Sequence, residues 1–204
     1  VLARRVAKVL LALLLLVLAG EVGFIYWQSN QPKENPYDPI IVTVAREDGM
    51  DPYLIRALIW RESKFEPMTR GAAEERGLMQ VTPAVGEAWA KANKVPNFQP
   101  DDLYKPWVNV RAGTWYLNHA MERWNETDDP TTFALAEYNA GHSNAVKWVD
   151  PADPANHIAF LERITFPSTR RYVETILTMR AQYQALLVHN KWYREDAPVV
   201  TSSR

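Results

Sequence analysis

Asp51-Pro52-Tyr53-Leu54-Ile55-Arg56-Ala57-Leu58-Ile59-Trp60-Arg61-Glu62-Ser63-Lys64-Phe65 is the stretch that decides the fold. Asp51 before Pro52 pairs an N-cap oxygen with a residue whose fixed φ suits the first helical turn. Ile55, Leu58, Ile59 and Glu62 then follow at i, i+3, i+4 and i+7, one face of a 3.6-residue repeat. The stretch therefore reads as a helix whose apolar stripe ends on an acid. A carboxyl group in that place is partly desolvated, which raises its pKa and keeps it protonated near neutrality. That is the state a general acid requires. An acid that turns outward, or pairs with Arg61 or Lys64, fits the same spacing, so the stripe alone does not choose.

The same punctuation continues on both sides. Asp38-Pro39, Thr82-Pro83 and Asp129-Pro130 repeat the cap-and-proline pairing, and Gly49 and Gly141 sit where helices stop. Val110, Leu117, Met121 and Trp124 form a second stripe, and Val173, Ile176, Leu177 and Leu187 a third. No strand alternation, hairpin signal or internal repeat interrupts them. The expectation is an all-α domain over residues 38–188, built from seven or so helices. Its longer connections, Phe65–Val81, Asn93–Trp107 and Asp150–Asn156, are the segments from which a groove would be made. Residues 189–204 read as a polar, mobile tail.

The N-terminus has a different character. Arg4, Arg5 and Lys8 precede the uncharged run Val9–Gly20, and apolar residues resume after Glu21 through Trp27. A helix over Val9–Trp27 would span roughly 28 Å, close to the hydrocarbon thickness of a bilayer. Basic residues ahead of it predict a cytoplasmic N-terminus, with Tyr26 and Trp27 at the far interface. Residues 1–28 are thus expected to be a single-pass membrane anchor, with 29–37 as a polar linker. A cleaved signal peptide is the alternative. The return of apolarity after Glu21 favours the anchor, and either reading exports the rest of the chain to the periplasm or outer wall.

Composition narrows the function classes. The 204 residues contain no cysteine, which removes disulfides, thiolate zinc sites and cysteine nucleophiles. The net charge of −1, without a long basic patch, argues against nucleic acid as a partner. His119, His142, His157 and His189 lack metal-ligand spacing, and neither a G-x-S-x-G elbow nor a glycine-rich phosphate loop occurs. No cofactor and no metal is expected. Trp89, Trp115 and Trp124 lie in helical segments and read as core residues.

Ordered blocks surround Glu62. After Arg61-Glu62-Ser63-Lys64-Phe65 come Gly77-Leu78-Met79-Gln80 and Asp102-Leu103-Tyr104-Lys105-Pro106, with Asn109 and Gly113 beyond. Tyr138-Asn139-Ala140-Gly141 follows, and Phe166-Pro167-Ser168-Thr169-Arg170-Arg171-Tyr172-Val173 opens the final long helix. The set resembles the catalytic domain of the soluble-lytic-transglycosylase (SLT) family, over roughly Asp51 to Leu187. The resemblance implies a lysozyme-like helical fold of the goose-type lysozyme and lytic transglycosylase kind. It also implies a lyase acting on the β-1,4 bond between N-acetylmuramic acid and N-acetylglucosamine in peptidoglycan (murein). Glu62 would be acid and then base, drawing the muramyl 6-hydroxyl onto the anomeric carbon to leave a 1,6-anhydro end. The substrate's N-acetyl group would replace a second carboxylate. Met79, Gln80, Tyr138 and Asn139 would contact substrate, although without the family pattern Met79 reads as core and Tyr138 as a buried tyrosine with one satisfied hydroxyl. Peptidoglycan strands, the membrane and other cell-wall machinery are the partners so implied.

Three positions depart from the family pattern. Gly71 stands where many relatives have a substrate-contacting serine, Ala73-Glu74-Glu75-Arg76 replaces small residues, and Glu137 precedes the Tyr-Asn pair. A hydrolase using Glu137, Glu74 or Asp102 as a second carboxylate therefore stays open, as does a non-catalytic wall-binding protein.

Overall fold

The computed structural model describes residues 13–24 and 35–189. The chain divides into two units, Val1–Glu34 and Asn35–Arg204. In the first, a helix, α1, is described over 13–24, with its leucines, Val17, Val22 and Phe24 all exposed. Among the described residues no helix is long and apolar enough to cross a membrane. Of the expected span Val9–Trp27, residues 13–24 are described; its two ends, most of the linker 29–37 and the tail from 190 lie outside the described residues.

The second unit is built from helices joined by loops, with two isolated bridges and no named strand among its described residues. Its elements are α2 (Asp38–Glu47), α3 (Pro52–Ser63), α4 (Pro83–Ala92), a 3-10 helix (Pro100–Tyr104), α5 (Pro106–Arg123), α6 (Pro130–Ala140), α7 (His142–Trp148), α8 (His157–Arg163) and α9 (Pro167–His189). Three of the four expected caps form. Asp51 accepts from the N–H groups of Tyr53 and Leu54, Thr82 from Val85, and Asp129 from Thr131. The fourth does not: Asp38 lies inside α2, behind Tyr37. Its carboxylate accepts instead from Arg56 Nε at 2.8 Å, in a pair that is almost fully buried. A guanidinium in a dry helix interface is the more demanding partner, because leaving it uncompensated costs several kcal/mol. The expected long connection Asn93–Trp107 is likewise shorter, since the 3-10 helix occupies its centre and α5 begins at Pro106.

The stripe of α3 is the centre of the core. Leu54, Ile55, Leu58 and Ile59 are at most 1% exposed. α3 packs along α9, while α6 lies against both α5 and α9. Val173 and Ile176 of α9 and Val110 and Leu117 of α5 are buried, with Leu177, Met121 and Trp124 packed partly against them. The side chain of Leu187 falls outside the described residues. A second aromatic cluster closes the α6 and α8 end, where the Phe133 and Phe160 rings stack at 4.0 Å and Trp124 leans on Phe133 at 5.2 Å. Burying such a side chain contributes about 1.5–3 kcal/mol. Asp51 Oδ2 also accepts from Arg180 Nε at 2.6 Å, tying the start of α3 to α9.

Asp38→Ala is expected to lower unfolding free energy by about 3 kcal/mol, since it removes the carboxylate that neutralises a buried guanidinium. Urea denaturation followed by circular dichroism measures it.

Candidate active site

Glu62 occupies the last turn of α3, and the chain turns sharply behind it. Lys64 and Phe65 both have positive φ, 54° and 66°, so two consecutive left-handed residues take the backbone off the helix. The loop then doubles back, and Ser63 Oγ donates to the Leu78 carbonyl at 2.8 Å. Asn109, fully buried on α5, holds the returning strand of this loop. Its Oδ1 accepts from the Met79 N–H at 2.7 Å, while Nδ2 donates to the carbonyls of Arg76 and Leu103 at 2.6 and 2.7 Å. Gly77 must be glycine here. Its φ is +76°, and an added Cβ would lie 2.4 Å from both Asn109 Nδ2 and the Leu103 oxygen.

These supports leave a cleft of about 380 Å³ whose wall includes Glu62, Gly71, Glu75, Gln80, Tyr116 and Tyr138. The Tyr172 hydroxyl, from α9, donates to Glu62 Oε1. Burial pushes the Glu62 carboxyl from 4.5 up to about 7. The Tyr172 hydrogen bond and Arg61 oppose this shift, and Glu75 adds to it. Tyr172 and Tyr138 are themselves held well above the usual phenol range, by burial and by the nearby Glu62 charge, so both remain hydrogen-bond donors. The arrangement presents one carboxyl group that is close to half-protonated at neutrality, in a cleft whose other walls are largely polar.

The sequence-derived site residues divide. Glu62, Gln80, Tyr138 and Asn139 come together on the cleft wall. Gln80 is held with φ at 49°, and its Nε2 donates to the carbonyls of Thr69 and Gly77 at 3.1 and 2.8 Å. Tyr138 donates to the Met79 carbonyl at 2.9 Å, and Asn139 accepts from Thr169 Oγ1 at 2.8 Å. Met79 is the correction. Its side chain is fully buried, with Gly113 leaving room for it, so it belongs to the core and does not line the cleft. Its backbone, bonded to Asn109 and Tyr138, is what serves the site.

None of the three acids considered as a second carboxylate faces the cleft. Glu137 is fully buried and bonded to Arg123, to Trp124 Nε1 at 2.8 Å and to His142 Nδ1 at 2.8 Å. Burial pushes its carboxyl upward, but the bonds from Arg123, His142 and Trp124 outweigh that and hold it below the usual range. Glu74 pairs with Arg70 on the surface. Asp102 takes the Gln99 N–H at 2.8 Å and Lys105 Nζ at 2.7 Å. Sequence reasoning passed over Glu75, Tyr116 and Tyr172, which do reach the site. Tyr172 stood inside a recognised block, and Tyr116 lies one turn beyond Gly113; nothing local singled out Glu75 from Glu74.

The family model described as the Transglycosylase SLT domain matches residues 39–160, more than half of the chain. The chain belongs to the Transglycosylase SLT domain family. A soluble lytic murein transglycosylase from Salmonella typhimurium is 28% identical over 167 residues, covering 78% of this chain and 25% of the relative. A membrane-bound lytic murein transglycosylase F from Desulfosudis oleivorans is 32% identical over 111 residues, covering 53% and 22%. Among solved structures, an inactive mutant of lytic transglycosylase Slt from Pseudomonas aeruginosa superposes with a TM-score of 0.66 at 27% identity. It covers 72% of this chain and 24% of that one. The chain thus spans about a quarter of the length of these relatives, and the SLT fold accounts for its helical unit.

A raised carboxyl pKa is also a stability statement. Between pH 4.5 and about 7 the folded chain keeps the Glu62 proton that the unfolded chain releases, so this group's contribution is complete below pH 4.5 and lost as pH rises through 7. Glu62→Gln is therefore expected to gain on the wild type as pH rises through that window, reaching about 3 kcal/mol above pH 7. Urea midpoints at pH 4.5 and pH 8 measure it. Tyr172→Phe should raise the Glu62 pKa further, as read by carboxyl-carbon NMR.

Proposed function

We propose that this chain is a peptidoglycan lytic transglycosylase with Glu62 as its acid and then its base. The observation that carries the reading is the Glu62 carboxyl, lifted to about 7 in a cleft of about 380 Å³ and held by Tyr172. A group with that pKa can donate and accept near neutral pH with little bias either way. In the first step its proton passes to the glycosidic oxygen as the bond from the anomeric carbon breaks. The substrate's own N-acetyl group meets the developing positive charge. In the second step the carboxylate takes the proton of the muramyl 6-hydroxyl as that oxygen bonds to the anomeric carbon. Glu62 ends protonated, and no water is consumed. Gln80, Tyr138 and Asn139 line the substrate's path, and Tyr172 fixes the carboxyl's orientation. The SLT membership and the names of the relatives support this assignment.

Hydrolysis is the second reading, and Glu75 is the observation that favours it. This acid lines the cleft with Glu62, whereas Glu137, Glu74 and Asp102 are committed elsewhere. A purely binding role is weaker, because a binder has no need of a carboxyl kept protonated.

The N-terminal segment is proposed as a single-pass anchor with the helical unit facing the periplasm. Arg4, Arg5 and Lys8 before the apolar run support it, as does the membrane-bound name of one relative. A nine-residue linker would reach about 30 Å at most, keeping the cleft near the membrane.

Mass spectrometry of muropeptides released from peptidoglycan should show 1,6-anhydro ends; reducing ends would select the hydrolase. Glu62→Gln should be folded and at least about 10³-fold slower, since its amide can neither donate nor accept the proton. Folded Glu137→Gln should keep most of the turnover. Protease added outside spheroplasts should remove the helical unit, and a freely soluble form would exclude the anchor.

A further inference from the structure

Glu75 sits on the cleft wall in a way that depends on its neighbour four residues back. The backbone closes a turn in which the Gly71 N–H donates to the Glu75 carbonyl at 2.8 Å and the Glu74 N–H donates to the Gly71 carbonyl at 3.3 Å. The Glu75 side chain folds back over this turn, where its Oε2 accepts from the Ala73 N–H at 2.8 Å. A Cβ added to Gly71 would meet that Oε2 at 2.2 Å and the carboxyl carbon at 2.9 Å. The Glu75 carboxylate therefore fills the space that a side chain at position 71 would need. Gly71 has no positive φ, so its lack of a side chain is what the arrangement uses, rather than any special backbone freedom.

The carboxylate is also without a cation among the described residues. Arg70 pairs with Glu74, and Arg76 with Asp101 at 2.9 Å and Glu74 at 3.9 Å. No lysine, arginine or histidine is among the residues lining the cleft. A half-buried carboxylate that keeps only one backbone hydrogen bond has acceptor capacity left over, and that capacity faces the space a ligand would enter.

We propose that Glu75, seated over Gly71, is a glycan-contacting, specificity-determining residue that accepts a hydrogen bond from an amide N–H or hydroxyl of the amino-sugar strand. The proposal rests on the reading of the cleft as a peptidoglycan site. It assigns one function to two residues: Gly71 supplies the seat and Glu75 supplies the acceptor. A carboxylate offers no donor, so this wall selects sugar groups that carry one and repels an anionic substituent.

The test uses the full chain carrying Glu62→Gln, which separates binding from turnover, and insoluble peptidoglycan as the probe in a sedimentation assay. In that background Glu75→Ala should weaken binding by about 10-fold or more, the loss of one hydrogen bond to a charged group. Glu75→Gln should lose less, because its amide oxygen still accepts. Gly71→Ala should match Glu75→Ala by displacing the carboxylate, and the double variant should be no worse than the weaker single. Unchanged binding after Glu75→Ala overturns the contact, and additive losses overturn the shared seat. Should Gly71→Ala fail to fold by circular dichroism, the Glu75 pair of variants decides alone. If the Glu62→Gln parent does not bind peptidoglycan at all, the reading of the cleft fails, and the contact fails with it. Glu75 variants that bind normally while the parent binds well overturn the contact alone.

Discussion

The backbone of Met79 is held from two sides. Asn109 accepts from its N–H at 2.7 Å and Tyr138 donates to its carbonyl at 2.9 Å. The remaining parts of the cleft depend on that double hold. Asn109 is fully buried on α5, and Tyr138 comes from α6, so the loop behind Glu62 is fixed to two helices that themselves pack together. Asn109 reaches two more carbonyls of neighbouring segments, so its amide contributes three bonds in a dry environment. Each is worth about 1 kcal/mol net, but leaving buried partners unmade costs more. Met79's side chain completes the restraint by filling the space that Gly113 leaves open. A loop of this length would ordinarily be among the softer parts of a domain. Here its returning limb is bonded at Met79 to both helices and at Arg76 to Asn109, which allows it to form one wall of a site.

With that wall fixed, the state of Glu62 follows from solvation more than from any partner. Burial is the largest influence on its carboxyl, and the Tyr172 bond and Arg61 recover only part of the loss. Glu137 shows the opposite balance. Its side chain is shut off from solvent, yet the bonds from Arg123, His142 and Trp124 hold its carboxyl below the usual range. Two carboxylates in one helical unit are therefore pushed in opposite directions, one toward carrying a proton and one toward holding charge. The first suits proton transfer, and the second joins α5, α6 and the start of α7. The tension falls on Glu62, whose desolvation opposes folding above neutral pH in the same measure that it keeps the proton available.

Helical periodicity and caps made most of the fold legible. The α3 stripe, the Asp51, Thr82 and Asp129 caps and the glycine stops are local signals, and local physics produces them. The Asp38-Pro39 pair has the pattern of a cap, but its partner, Arg56, is eighteen residues away, and a sequence pattern carries no sign of a buried ion pair between helices. The lining of the candidate cleft was legible in part. Glu62, Gln80, Tyr138 and Asn139 sit in ordered blocks and meet on one wall, whereas Met79 sits in such a block for its backbone. Side-chain identity alone could not separate those roles.

The Arg70–Arg76 stretch shows why adjacent like residues can differ in use. The two isolated bridges, Arg70 with Arg76 and Arg76 with Val81, make a short antiparallel return. Glu74, at positive φ, turns outward to Arg70, and Arg76 reaches Asp101 across to the 3-10 helix segment. That exposed network consumes both nearby guanidinium groups, although exposed pairs of this kind add little stability. Its larger effect is by subtraction. With those cations committed to Glu74 and Asp101, Glu75 has no cationic partner among the described residues and keeps only the Ala73 N–H. An unpaired carboxylate is tolerable there because the cleft is open to water when empty. On the proposed reading, a glycan strand that excluded that water would replace it with its own polar hydrogens.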